Sequence, residues 1–208
     1  MKKILSENVI GTPVLASMIW AMKKPDAYFD VPWRAGADGS PVMLNLVHEV
    51  DLLRFLFGDV VSVKGIGSNA LRKTARVESG AALLEFANGV AASIAFADSA
   101  VSPFGFEAGT GENPNIATTG EDYLRISGTH GTIGFPSLTV WSGAEDWSQA
   151  PQVTVHEVEA NVPLTAQLEH FCEVCSGKTA PRVSAVEARD TLAATLAIEG
   201  AVSQGVAQ

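Results

Sequence analysis

The order of apolar and polar positions divides the chain into short strands framed by a few helices. Ile4, Leu5 and Val9 are compatible with a helix that Gly11-Thr12-Pro13 stops, and Val14 to Met22 then reads as a strand rich in apolar residues. Residues 23 to 43 hold Pro25, Pro32 and Pro41 and are expected to be irregular, with aromatic residues at Tyr28, Phe29 and Trp33. Such a loop serves either as a binding element or as a strap whose aromatics tack it to its own core. From Asn45 to Phe57 the spacing is helical: Leu46, Val50, Leu53 and Phe57 fall on one stripe, Asn45 can cap the start and Gly58 can end it.

Val60 to Ser68 returns to alternation, and Ala81 to Phe86 with Val90 to Ala97 form two strands around Asn88-Gly89, a strong hairpin signal. Gly105 to Gly120 carries too many breakers for an element. Strand candidates follow at Asp122 to Ser127, Thr132 to Phe135, Leu138 to Trp141 and Val153 to Val158. Leu164, Leu168, Phe171 and Cys175 define one amphipathic helix, and Ser184 with Glu187 forms a capping box before an Ala-rich helix running to about Gln204.

These elements add up to an α+β fold: an open, largely antiparallel mixed sheet of roughly six to nine strands with helices on one face. No repeat or linker divides the chain, so residues 1–208 are expected to form a single domain. Val14, Leu15, Met18 and Trp20 on the first strand, with Ile94 and Phe96 on the hairpin, are expected to leave the other face apolar, as a surface for a partner.

Composition narrows the classes. With 47% hydrophobic and 18% charged residues, a chain of 208 residues can withdraw roughly 70% of its unfolded surface from water, which excludes wholesale disorder. The net charge of −9, with one short basic cluster at Arg72, Lys73 and Arg76, argues against nucleic acid and anionic membrane as partners. Two cysteines, Cys172 and Cys175, are too few for a secreted disulfide scaffold. Ser6, Glu7 and Asn8 interrupt the charged opening before a signal-peptide core develops, and no run approaches the ~20 apolar residues of a membrane span. A cytoplasmic protein is the expectation.

Few constellations carry chemistry. Gly65-Ile66-Gly67-Ser68-Asn69-Ala70 matches the dinucleotide fingerprint after a strand, with Glu85 about 20 residues on. The mechanism needs a helix that points its N-terminus at the pyrophosphate and crosses to a parallel strand, and Leu71 to Ser79 is too short and too little periodic to supply one. Asn45, His48 and Asp51 stand three apart on the central helix. His48 could exchange a proton with a hydroxyl or carbonyl while the Asn45 amide orients the same oxygen. An exposed helix face with Asn45 only as cap accounts for the same pattern. Cys172 and Cys175 beside His170 make at most half of a zinc site, and no Walker, nucleophile-elbow or zincin motif occurs.

Several stretches, in this order, carry a resemblance: Ile10-Gly11-Thr12-Pro13-Val14, Lys24-Pro25-Asp26-Ala27-Tyr28-Phe29 with Trp33-Arg34, and Asn45 through Arg54 including His48-Glu49-Val50-Asp51. Gly111-Glu112-Asn113-Pro114, Gly128-Thr129-His130-Gly131-Thr132 and Gln167-Leu168-Glu169-His170-Phe171 complete the set. Over essentially its whole length the chain resembles the C-terminal domain of the Gfo/Idh/MocA oxidoreductases, the glucose-fructose oxidoreductase and inositol dehydrogenase group. That resemblance implies a substrate-binding and dimerisation domain, partnered in the complete enzyme by a Rossmann domain that holds NAD or NADP. No cofactor is expected on this chain alone, and residues 1–9 would be the remnant of the connection from the nucleotide domain.

By the same resemblance His48 matches the family's catalytic histidine. The family's common pattern puts an Asp four residues earlier, where this chain has Leu44; Asn45 is the nearest polar replacement and cannot act as a general base. Trp33, Arg34, Glu112 and Asn113 fall where such a domain meets substrate, which the family makes a sugar, a cyclitol or a related polyhydroxy compound. Arg34 could pair with a substrate carboxylate or with Asp38. Two functions follow as expectations. The first is the substrate and oligomerisation half of a dehydrogenase, incompetent alone and forming a dimer or tetramer through its open sheet. The second is a non-catalytic small-ligand or protein-binding module derived from that domain.

Overall fold

In the computed structural model, which describes residues 1–157 and 161–204, a single eight-stranded sheet organises the chain. The chain opens with α1 (Lys2–Ser6) and β1 (Pro13–Ala21). Turns of 3-10 helix at Asp26–Asp30 and Ala37–Gly39 flank the short α2 (Pro32–Ala35), so the stretch expected to be irregular is a series of tight helical turns. A π-helical turn, Val42–Leu46, runs directly into α3 (Val47–Phe57). Then come β2 (Val60–Ser68), β3 (Ser79–Phe86), β4 (Ala91–Ala97), the one-turn α4 (Phe106–Thr110), β5 (Leu124–Gly128), β6 (Gly131–Phe135), β7 (Thr139–Ser142), β8 (Gln152–Val155), α5 (Pro163–Cys175) and α6 (Ala185–Ser203). The strand expected over Val153 to Val158 is thus shorter at its far end, and Val158 itself lies outside the described residues.

The strand order is β2-β3-β4-β1-β5-β6-β7-β8. Every adjacent pair is antiparallel except β1 with β4, so the sheet is mixed and open as the sequence predicts. Gly89 turns the β3–β4 hairpin at φ +86°, the left-handed backbone that a side chain resists, and Val90 N–H donates to Asn88 Oδ1 at 3.1 Å. Gly58 ends α3 in the same way, at φ +89°.

Helices cover one face. α6 lies over β2 with Thr191, Ala194, Thr195, Ile198 and Val202 turned inward at helical spacing. Full burial of Ile198 and Val202 contributes roughly 1.5–3 kcal/mol each. Ser184 caps the helix by accepting from Glu187 N–H at 3.2 Å, while the Glu187 carboxylate turns to Arg54 at 3.4 Å instead of closing the reciprocal half of the box.

The sheet's parity differs from expectation. Met18, Trp20, Ile94 and Phe96 point into the core beneath the helices, and the face away from them carries Leu15, Ile19, Leu83 and Ile66 among Ser17, Ser93, Lys64 and Arg125. A register shift between Pro13 and Leu15 is the cause: it leaves both Val14 and Leu15 exposed, so alternation counted from Val14 comes out on the wrong side. α5 also departs from expectation. Its stripe of Leu164, Leu168 and Phe171 is not laid on the sheet but stands 71%, 64% and 62% exposed. Among the described residues no helix is long and apolar enough to cross a membrane.

Candidate functional site

The dinucleotide look-alike resolves first. Gly65 and Gly67 lie inside β2, not at a strand-to-helix turn. A Cβ on Gly65 would meet Val202 Cγ1 at 2.7 Å, and one on Gly67 would meet the Val202 carbonyl oxygen at 2.3 Å. The glycines therefore admit α6 to the sheet, and no helix N-terminus faces a phosphate there.

Beyond Ala21 the pairing of β1 with β4 continues, as Met22 N–H donates to Ala97 O and Lys24 N–H to Asp98 O, both at 2.9 Å. This pins Lys24 beside the Asp98 side chain. Asp98 is fully buried and collects Arg76 at 2.7 Å, Arg72 at 2.9 Å and Lys24 at 3.8 Å. Glu78, buried alongside, accepts the Leu71 and Arg72 backbone N–H groups at 2.6 and 3.0 Å. The 3-10 turn at Asp26–Asp30 supplies aromatic floors: Arg72 and Arg76 lie 4.4 and 4.7 Å over Phe29, and Arg34 4.4 Å over Tyr28. Arg72 and Arg76 of the basic cluster thus belong to an internal ion-pair network, while Lys73 is exposed.

Lys24 Nζ also donates to Asn45 Oδ1 at 2.9 Å. Asn45 is not the helix cap: it sits within the π turn, and its side-chain oxygen is taken up by an ammonium that can only donate. The assignment follows from the donor, and it leaves the Asn45 amide N–H groups for another partner. Burial lowers the Lys24 pKa to about 8, with Arg76, Arg72 and Arg34 pushing the same way and Asp98 opposing them.

One turn on, α3 forms a wall of a cleft of about 810 Å³. Asn45, His48, Glu49 and Asp51 come from α3 and the turn before it, Phe106 and Glu107 from α4, Glu112 and Asn113 from the loop after it, and Leu164 and Gln167 from α5. His48 is exposed to this cleft, whereas Asp51 is tied to α6 by accepting from Thr191 Oγ1 at 2.8 Å. Glu49 is only 3% exposed. Burial first, and the neighbouring Glu107 second, push its carboxyl up to about 8. The Tyr123 hydroxyl opposes that rise, but it makes no well-formed hydrogen bond, so burial and the second carboxylate decide the direction. Burial raises Tyr123 itself, and both glutamates reinforce this.

The predicted site residues are therefore divided. Asn45, His48, Glu112 and Asn113 line one cleft. Trp33 and Arg34 stand apart from it on α2, Trp33 half exposed, and Arg34 bonded to Tyr28 O at 3.3 Å and not to Asp38. The sequence reading gives no role to Lys24 or Glu49, although both stand in the stretches that carry the resemblance, and it does not single out Glu107. Lys24 follows an apolar strand, the one weak signal available, and nothing in the pattern brings Glu107 to Glu49. Cys172 and Cys175 are exposed free thiols, and His170 Nε2 accepts from Arg182 N–H at 3.1 Å.

The chain matches the family model described as "GFO/IDH/MocA C-terminal domain" over residues 1–134. It belongs to that family. Solved structures share the fold. They include UDP-N-acetylglucosamine 3-dehydrogenase GnnA from Acidithiobacillus ferrooxidans, with 17% identity, a TM-score of 0.70 and coverage of 98% of this chain and 58% of that one. The WlbA dehydrogenase from Bordetella pertussis, in complex with NADH and UDP-GlcNAcA, gives 21% identity and a TM-score of 0.68, with 99% and 57% covered. An oxidoreductase from Agrobacterium radiobacter, in complex with NAD+, L-tartaric acid and magnesium, gives 16% and 0.73, with 98% and 58% covered. The chain thus spans under three fifths of these proteins' lengths. No curated protein sequence matches it.

Proposed function

We propose that this domain is the substrate-side and dimerisation part of an NAD(P)-dependent oxidoreductase acting on a sugar, cyclitol or related polyhydroxy compound. The observation that carries the reading is the convergence of His48, Asn45, Glu112 and Asn113 on one cleft, in a chain whose family and fold are those of oxidoreductase C-terminal domains. The glycine motif at Gly65 and Gly67 does not fit a dinucleotide, because the space there is filled by α6. The cofactor then belongs to a companion Rossmann domain, and this chain's own share of the chemistry is the proton. His48 accepts or returns the proton of a substrate hydroxyl, and the Asn45 amide donates to the same oxygen and fixes its position.

Two surfaces support the assembly. The exposed Leu164, Leu168 and Phe171 of α5 adjoin the cleft through Leu164 and suit an apolar contact with the companion domain. The open sheet face, with Leu15, Ile19, Leu83 and Ile66 set among polar residues, suits a second copy of the chain. A non-catalytic binding module is the second reading, favoured by Leu44 where the family commonly has Asp.

Fluorescence titration tests the proposal, with four Trp residues as donors. NADH and NADPH are expected not to bind up to millimolar concentration, while saturating polyols raise the Tm without any nicotinamide present. Micromolar binding of either nucleotide to this chain would overturn it. Sedimentation that gives only monomer across micromolar concentrations would remove the dimer part.

A further inference from the structure

Far from the cleft, Trp147 is fully exposed in the loop 143–151 between β7 and β8. The loop is braced. Ser148 donates to Asp146 Oδ1 through its backbone N–H at 2.8 Å and through its hydroxyl at 2.6 Å, and Glu145 N–H donates to Gln149 Oε1 at 3.0 Å. A hydrogen-bonded loop that holds a Trp in water has the form of an interface anchor, since Trp is the residue most enriched among binding hot spots. The open sheet face offers a seat. A depression of about 480 Å³ lies across β2, β3, β4 and β1, between Leu83 and Leu15, where Ser62, Ala91 and Ser93 are too small to fill the surface. Lys64 lines it and makes no ion pair among the described residues, and Glu145 and Asp146 precede Trp147. Glu85 lines it too, one register row from Lys64.

Resting on the reading of the open sheet as the dimer face, we propose that Trp147 of one copy seats in this depression on a second copy, so that two reciprocal tryptophans anchor a homodimer. The chain cannot fill its own depression, because β7 and β3 are roughly 24 Å apart at about 4.8 Å per strand. A second copy can. One register row crosses the whole sheet: Ser62, Glu85, Ala91 and Leu15 on one half, then Ser127, Thr132, Trp141 and Val153 on the other. Its middle falls between β1 and β5.

A two-fold axis along the strands, over that mid-line and between two facing sheets, lays β7 and β8 of one copy over β3 and β2 of the other. Such an axis leaves the strand direction unchanged, so like ends of the two sheets stay together. The loop 143–151 leaves the sheet one residue beyond Trp141 and Val153, at Ser142 and Gln152. The depression lies at that same end, where Gly89 turns the β3–β4 hairpin and lines it. Each copy then gives one Trp147 and receives one, and Lys64 meets the acidic pair that precedes it. A seated Trp buries about 150–250 Å², a substantial share of the roughly 800 Å² that each partner of a standard interface contributes.

Sedimentation equilibrium of the 208-residue chain and of two variants tests this. W147A is expected to raise the dimer Kd about 100-fold or more, since each dimer loses two anchors. K64E should raise it about tenfold by repelling Glu145 and Asp146. The exposed Trp147 supports nothing in the fold, so W147A keeps the parent's circular dichroism. Photo-crosslinking locates the seat: with benzoylphenylalanine in place of Trp147, and isotope-labelled and unlabelled chains mixed, mass spectrometry should find crosslinks between copies to residues 60–68 or 79–93. A parent that dimerises while W147A does so with a Kd within about threefold would overturn this inference and leave the dimer reading standing. So would crosslinks confined to the same copy or to any other surface of the second copy. A parent that stays monomeric across micromolar concentrations would overturn the dimer reading along with it.

Discussion

Two groups of charged side chains lie beneath the surface of this domain, within a few residues of each other through Lys24 and Asn45, and only one of them neutralises itself. Around Asp98, three cations and two carboxylates interlock over the rings of Tyr28 and Phe29. Around Glu49, carboxylates share a cleft wall with no counter-charge among the described residues. The first arrangement lowers the cost of burial by pairing. The second keeps that cost by holding a proton, a state that stays responsive to whatever enters the cleft.

Removing the shared anion should have the largest effect. Asp98→Ala leaves Arg76 buried without its 2.7 Å partner and strands Arg72 and Lys24, and we expect a loss of about 3–5 kcal/mol in urea denaturation. A loss under about 1 kcal/mol would mean that the network contributes little and that the contrast between the two groups is false.

Glu49→Gln should act with the opposite sign, and increasingly so as pH rises. Folded Glu49 keeps its proton until about pH 8, while the unfolded carboxyl releases it near 4.5. The folded pKa is raised, so the associated stability is fully present below the unfolded value and is lost as pH climbs from there through 8. The variant lacks that decline. Its advantage over the parent should be near zero at pH 4.5 and roughly 1–3 kcal/mol at pH 8.5, discounted from the full shift for local rearrangement. A constant difference across that range would sink the assignment of a protonated Glu49.

His48→Ala should be the mildest change. The side chain is exposed to the cleft and forms no structural bond among those described, so stability should stay within about 0.5 kcal/mol of the parent while polyol binding weakens. A large drop in Tm would recast His48 as a support of the helix.

Much of this was legible from residue order. Asn88-Gly89, Gly58 and the Ser184 cap each act through local backbone chemistry, and each appears where the pattern put it. The strand faces were less so, because one register shift near Val14 reverses which side a residue meets. The amphipathic stripe of α5 is real, yet periodicity cannot say what covers a stripe. The Glu49–Glu107 pair spans 58 positions, the difference of their numbers, and rests on how α4 is seated. No local signal encodes that.

The π turn at Val42–Leu46 has a bearing on how such a domain diversifies. A π turn is one residue too many for an α-helical repeat, and each residue turns the helix by about 100°. Deleting one residue there would leave α3 and its His48 in place while rotating everything before it, so a different side chain would be offered to Lys24 and to the cleft. Loss of a single codon there would thus change the complement of groups beside His48, while also shifting Val42 in the core that it shares with α3.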